Sequence, residues 1–378
     1  MLNITIHNMS KFLFDIAGED DDASLREILK ETPMNGTMRV SLLRDPSIFH
    51  SIGVLGRFNQ VIIAKEKERG SIAGFGIRTV REAFVNGEVQ QIGYLSSLRI
   101  RQQFRGLSLL ARGYNYLKKL HEDQKTDIYL TTIVDGNTLA LRNLVGGRAG
   151  IPRYREIGKY LIFALDITKR FKGDQHKEME INRGSRENIH EIIQFVNESN
   201  AARQFAPYYR SEEIILKSPL YRDLQVEDFY FVRSKGSIKG VLAKWDQSAF
   251  KQIVVSKYKR PVYLLRPIIN TLSHLARYPS LPKEGQEIRS FYAGFIAVKD
   301  NSPAIFSALL RQMCKDNRGN GYTYVLVGLH SQDRLAEALK GCSCIRYDSR
   351  LYAVYWEDGK TFFDSLDDRP PYLELSTL

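Results

Sequence analysis

At 378 residues, with 43% hydrophobic and 26% charged side chains, the chain has the composition of a folded globular protein and room for two domains. No apolar run nears the roughly 18–20 residues of a membrane span. Met1 to His7 lack the basic-then-apolar order of a secretory leader, so a cytoplasmic location is expected.

The three cysteines, Cys314, Cys342 and Cys344, are too few for a disulfide framework or a structural zinc site, and no metal is expected. A net charge of +12 admits nucleic acid as a partner. The basic residues alternate with acidic ones, however, as in Lys65-Glu66-Lys67-Glu68-Arg69, and no stacking platform accompanies them. A surface that favours small anionic ligands is the better reading.

Elements follow in order. Ser24 and Glu27 have the spacing of a capping box, and Leu25, Ile28 and Leu29 form the apolar face of a first helix. A short helix is expected over residues 47–55, then strands over 60–64, 72–84 and 89–100, with a hairpin turn at Asn86-Gly87. A helix over 108–121 carries Leu110, Tyr114 and Leu117 on one stripe. A strand over 127–134, a helix over 137–145 and a strand pair ending near Asp166 complete the set.

Residues 168–180 are polar and aperiodic, a linker by composition. The order then repeats: a helix with Ile189, Ile192, Ile193 and Val196, strands over 229–232 and 238–245, and a strand over 288–298. A helix over 303–314, a strand over 322–328, a helix capped by Ser331 and strands near 344 and 351–356 end it. Setting Tyr94 opposite Tyr292 aligns Ile100 with Val298 and the two central helices. We therefore expect an internal duplication, with domains at 1–168 and 181–378 joined by 169–180. Residues 249–286 are an insertion in which Ile268, Ile269, Leu272 and Leu275 mark one helix face, a candidate wall or lid.

Chemistry concentrates where the strand over 89–100 runs through Arg101-Gln102-Gln103-Phe104-Arg105-Gly106-Leu107-Ser108 into a helix. Such a junction gathers backbone N–H groups at a helix N-terminus, where the dipole favours negative charge. Gly106 keeps side-chain bulk away from a bound diphosphate. Arg101 and Arg105 flank the turn and can add charge-assisted hydrogen bonds. The bland alternatives are a plain turn at Gly106, a core tyrosine at Tyr94, a solvated strand-end charge at Glu82, a turn at Asp135-Gly136 and a simple N-cap at Asn137.

Residues 103–108 resemble the Arg/Gln-x-x-Gly-x-Gly/Ala motif of the GCN5-related N-acetyltransferases, with serine in the last small position. Asn137-Thr138-Leu139-Ala140 resembles that family's Asn-x-x-Ala helix start. The resemblance implies an α/β fold of two tandem acetyltransferase-like domains, each a mostly antiparallel sheet flanked by helices. It implies acetyl-CoA as co-substrate, pantetheine paired with the backbone of Leu98, Arg99 and Ile100, and pyrophosphate held at Phe104, Arg105, Gly106, Leu107 and Ser108. Asn137 would meet the pantetheine arm, and the partner would be an amine-bearing acceptor.

Two positions depart from the family: Leu144 stands where a tyrosine often serves as general acid, and Gln102 replaces a proline. Glu82, Tyr94 and Asp135 are therefore the candidates for acid or base. The second half reads Lys299-Asp300-Asn301-Ser302-Pro303 at the matching loop, without glycine, and is expected not to bind CoA. The reading is an N-acyltransferase, most simply acetyl transfer to a primary amine. A non-catalytic acyl-CoA sensor and an aminoacyl or long-chain acyl transferase remain alternatives, as does an oligomer.

Overall fold

The computed structural model describes residues 11–34, 38–106, 108–148, 150–169, 179–275 and 281–378. Most of the expected linker and Leu107 lie outside these residues.

The first half contains β1 (Phe12–Ile16), α1 (Asp22–Glu31), β2 (Met38–Leu43), α2 (Ile48–Ile52), β3 (Phe58–Glu66), β4 (Ile72–Val85) and β5 (Glu88–Ile100). It continues with α3 (Leu109–His121), β6 (Tyr129–Val134), α4 (Thr138–Ala140) and β7 (Arg153–Asp166). The second holds β8 (Ile181–Arg183), α5 (Ile189–Ala201), α6 (Ser211–Ile215), β9 (Phe229–Ser234), β10 (Ser237–Trp245), β11 (Gln252–Tyr258) and α7 (Arg260–Leu275). β12 (Ser290–Val298), α8 (Pro303–Asn317), β13 (Tyr324–His330), β14 (Cys344–Tyr355) and α9 (Lys360–Asp364) close it.

Among the described residues, twelve strands form one sheet in the order β1-β3-β4-β5-β6-β14-β7-β13-β12-β10-β9-β8. The two halves interlock at its centre. β14 lies between β6 and β7, and β7 lies between β14 and β13, so each half lends a strand to the other. The expected break near 168 therefore divides the chain but not the sheet. Long-range pairing explains this, because no local pattern says which strand a neighbour will be. β2 pairs with β11 in a separate ribbon that ties the halves together again.

Helices cover both faces. Alternate residues of β12 separate them: Tyr292, Phe295 and Ala297 join a core with α1 and α5, while Phe291 and Ala293 join the core beneath α8. Tyr114 and Leu117 of α3 pack on that second face with Tyr129, Ile133 and Leu144.

Several details differ from expectation. α1 begins at Asp22, not beyond Ser24, because the Asp22 carboxylate is useful there: it accepts from Ile48 N and Ser47 Oγ at 2.7 and 2.9 Å. The expected strand pairs before 166 and 356 are single long strands. The turn after β13 is a 3-10 helix, Arg334–Leu339, capped by Asp333 rather than Ser331. In α7, Ile268 and Leu272 are 57% and 53% exposed, so the face expected to form a wall is not packed. The side chain of Leu275 lies outside the described residues.

Candidate functional site

β5 and β6 run parallel and pair only at Gly93–Tyr129 and Tyr94–Leu130. Beyond that point they diverge, and the backbone of β5 past Leu95 faces the gap without a strand partner. A bulge at Ser97, φ 53°, turns β5 outward, and its register on β4 slips between Phe75 and Ile77. The close approach that anchors the strands is at Gly93, where a Cβ would stand 2.2 Å from the Tyr129 ring. Such a split offers unpaired peptide groups to an extended amide-bearing chain, which can add to β5 as a strand would.

The tip of β5 leads into the Gly106 turn. Phe104 is buried against Phe12, ring edge to face at 5.5 Å, and pins the turn to the sheet. The N–H groups of Phe104 and Arg105 donate to Arg101 O and Gln102 O at 3.0 and 3.2 Å. Those two residues therefore shape the cradle rather than line it with donors. Gly106 has φ 84°, and a Cβ there would meet nothing within 4 Å, so the turn needs glycine for its backbone and opens to space. Ser108 precedes α3, whose first-turn N–H groups have no intrahelical partners.

Of the flanking cations, Arg105 is exposed, with Nε 3.3 Å from Ile100 O. Arg101 instead pairs with Glu27 and Glu31 and fastens α1 to the turn.

Leu98, 42% exposed, and Ile100 sit on the diverging stretch with Arg99. Tyr94 is buried at the root of the split, its hydroxyl 3.0 Å from Thr132 Oγ1, and burial raises its pKa. It is thus a core tyrosine that also closes the gap between the two strands.

Glu82 is no base. Arg210 and Arg57 both donate to it, and these bonds hold its carboxyl down at about 2. It straps the segment after α5 to β4. We expect Glu82→Gln to leave turnover within about twofold while lowering stability by about 2–3 kcal/mol. The depressed pKa makes this contribution full above the ordinary Glu value and lost as pH falls toward 2. Denaturation of both proteins at pH 7 and pH 3 checks it: the gap narrows at pH 3.

Asp135 is likewise engaged, accepting from Arg350 Nε at 3.0 Å across β6 and β14. Asn137 is exposed and caps α4, accepting from Ala140 N at 3.2 Å. Leu144 is buried under α3, so no acid stands where the family's tyrosine would. Ser96 was not singled out from sequence. Its Oγ is buried without a partner beside the bulge, and the Ser96-Ser97 pair interrupting an apolar strand is the signal that could have found it.

Neither a family model nor a curated sequence matches the chain. Solved structures do. A GCN5-related N-acetyltransferase from Sphaerobacter thermophilus aligns at TM-score 0.53 and 11% identity over 98% of this chain and 99% of its own. The Saccharomyces cerevisiae N-myristoyltransferase with bound myristoyl-CoA aligns at TM-score 0.60 and 10% identity over 92% and 79%. The Anabaena variabilis GCN5-related N-acetyltransferase aligns at 0.51 and 12% over 90% and 72%.

The fold is that of the GCN5-related N-acetyltransferases. In this GNAT fold the duplication expected from sequence is visible in backbone detail. β12 and β13 pair at Phe291–Val325 and Tyr292–Leu326, then part, and a bulge follows three residues after Tyr292, at Phe295 with φ 54°. Tyr94 and Ser97 stand in the same relation.

The second GNAT split has lost the turn. Asp300 and Asn301 take positive φ in place of glycine, and Pro303 opens α8 without an N–H. A groove of about 780 Å³ lies there, with Glu191, Glu198, Asp300 and Asp333 on its wall beside Arg203, Lys239 and Lys299. Among the described residues, no group of three His, Cys, Asp or Glu could hold a metal, and no helix is long and apolar enough to cross a membrane.

Proposed function

We propose that the chain is an acyl-CoA-dependent N-acyltransferase that uses the split between β5 and β6, and that acetyl is the group it transfers to a primary amine. The observation that carries this reading is the pairing of a diverging, bulged strand with a glycine turn at a helix N-terminus. The turn meets pyrophosphate, and the open edge of β5 meets pantetheine, which brings the thioester to the root of the split near Ser96 and Tyr94. Acetyl-CoA would be held at Leu98, Arg99, Ile100, Gly106 and Ser108 through backbone groups, with Arg105 adding charge.

The reaction is direct. An amine of ordinary pKa costs about 4–5 kcal/mol to deprotonate at pH 7. The free amine attacks the thioester carbon, and a β5 peptide N–H beside the bulge holds the oxyanion. The C–S bond then breaks: the thiolate takes a proton from a nearby acid, and the proton that the attacking nitrogen loses restores that acid through solvent. With Glu82 and Asp135 bound to arginines and Leu144 unable to donate, the Tyr94 hydroxyl is the acid nearest the gap. We expect Tyr94→Phe to lower kcat about 100-fold with little change in acetyl-CoA affinity. A kcat within twofold of the parent would remove Tyr94 from the chemistry.

The experiment that tests the function is release of free thiol from acetyl-CoA across a panel of amines. Amine-dependent release supports transfer; tight binding without release would make the chain an acyl-CoA sensor instead.

A further inference from the structure

α7 presents its apolar side outward. Leu264, Ile268 and Leu272 repeat at i, i+4 and i+8 with Leu265 beside them, so they form one stripe. All four are at least half exposed, and Tyr263 flanks the stripe at similar exposure. The row two positions along, Val262, Arg266 and Asn270, falls on the opposite side of a helix with 3.6 residues per turn, and that row is the half-buried one. Arg266 Nε donates to Leu281 O and Pro282 O, both at 3.0 Å. Asn270 donates to Leu281 O at 3.0 Å and accepts from Leu281 N at 2.7 Å. Polar side chains thus hold α7 to the chain that follows it, and the leucines face away.

Contiguous exposed apolar patches mark places of association. The charge around this one indicates what covers it. From residue 247 to residue 283 the chain has seven Lys and Arg and no Asp or Glu, against a net charge of +12 for all 378 residues. The alternation of signs seen at 65–69 stops here. Lys257, Lys259 and Arg260, at the start of α7, are exposed, and no carboxylate among the described residues holds them. Glu284, the first acid past the stretch, is engaged: its Oε1 accepts from Tyr258 N at 2.9 Å.

A partner must then be apolar where it meets the stripe and anionic around it. A second copy of the chain, meeting stripe to stripe, would bring more cations from this stretch and no acid. The boundary of an anionic bilayer meets both demands, since the acyl region takes the leucines and headgroup phosphates take the cations. The ring of Tyr263, apolar in body and polar at its tip, suits the headgroup level.

We propose that α7 is an interfacial anchor that lays the chain on an anionic phospholipid membrane. Leu264, Leu265, Ile268 and Leu272 face the acyl region, and Lys257, Lys259 and Arg260 meet the headgroups. The helix lies in the surface and does not cross it, because its 16 residues reach only about 24 Å against a hydrocarbon core of about 30 Å. This anchoring stands or falls independently of the acyl-transfer reading.

Co-sedimentation of the full chain with vesicles tests it, using phosphatidylcholine alone and phosphatidylcholine mixed with phosphatidylglycerol. The parent should bind the mixed vesicles at least about tenfold more tightly than the neutral ones, because each basic residue at an anionic surface is worth about fivefold. Raised salt should release it. Leu264→Gln with Ile268→Gln should weaken binding at least about tenfold through lost apolar burial, and Lys257→Gln with Lys259→Gln by a similar factor. All four positions are exposed, so both variants should melt with the parent, which separates loss of binding from loss of fold.

No binding of the parent to the mixed vesicles overturns the inference, as does equal binding to both kinds of vesicle. Unchanged binding by the leucine variant also overturns it, since the stripe would then be idle. A parent that self-associates in place of binding vesicles, and loses this in the leucine variant, overturns it in favour of a contact between two copies.

Discussion

Gly106→Glu should weaken acetyl-CoA binding by at least about 100-fold. Two effects add. The native φ of 84° suits glycine and costs a residue with a Cβ about 1–2 kcal/mol. The new carboxylate also stands where the turn opens toward the N-terminus of α3, so it competes for the N–H groups that the pyrophosphate needs and repels it. Losing even one charge-assisted bond costs about 1.5–3 kcal/mol, and the repulsion between the new carboxylate and the phosphates adds to it, against the roughly 2.8 kcal/mol that separates 100-fold in affinity. A Cβ at Gly106 meets nothing within 4 Å, so the fold should survive with an unchanged circular dichroism spectrum. Calorimetric titration measures the effect, and Gly106→Ala separates its parts by carrying the strain alone. Full affinity in Gly106→Glu would mean that the phosphates lie elsewhere.

Asp123→Asn should destabilise the chain by about 3 kcal/mol at pH 7. Arg78 on β4 is 0% exposed and is held by four contacts: two from Asp123 at 2.7 and 2.8 Å, one from Gln60 at 2.8 Å and one from Tyr129 OH at 2.9 Å. Removing the only carboxylate in that set leaves a buried guanidinium without counter-charge, and such losses cost about 3–5 kcal/mol. The asparagine keeps one acceptor, which places the loss at the lower end.

The hydrogen bonds from Arg78 hold the Asp123 carboxyl below its ordinary value. Its contribution is therefore present above the unfolded pKa and fades as pH falls through the folded one. Urea denaturation should show the difference in full at pH 7 and a smaller one as the pH is lowered below the ordinary Asp value. Arg78 also pairs with Leu95, and Tyr129 packs on Gly93 at the root of the split. The same substitution should then raise the Kd for acetyl-CoA modestly, by loosening the hinge from which β5 diverges.

The central strands, α3, the hairpin at Asn86-Gly87 and the turn at Gly106 were legible because local rules fix them: apolar periodicity, turn chemistry and a strand meeting a helix. The doubling was legible in the offset between Tyr94 and Tyr292, and the matching bulges at Ser97 and Phe295 bear this out. The exchange of β7 and β14 was not legible. Their composition shows two strongly apolar strands but cannot say that Leu165 will face Cys344 and Val325.

Side-chain roles were the least legible. Arg101, Glu82 and Asp135 look alike in sequence to free functional charges. Their partners, Glu27, Arg210 and Arg350, are 74, 128 and 215 residues away.

Amide hydrogen exchange of the full chain, with and without saturating acetyl-CoA, tests most directly whether the donor lies in the first split. Slower exchange is expected over residues 96–100 and 108–111, where the edge of β5 that faces β6 is unpaired and α3 has free N–H groups. No change is expected over 294–303, the matching stretch of the second half. Protection confined to 294–303, or spread over neither stretch, would contradict it.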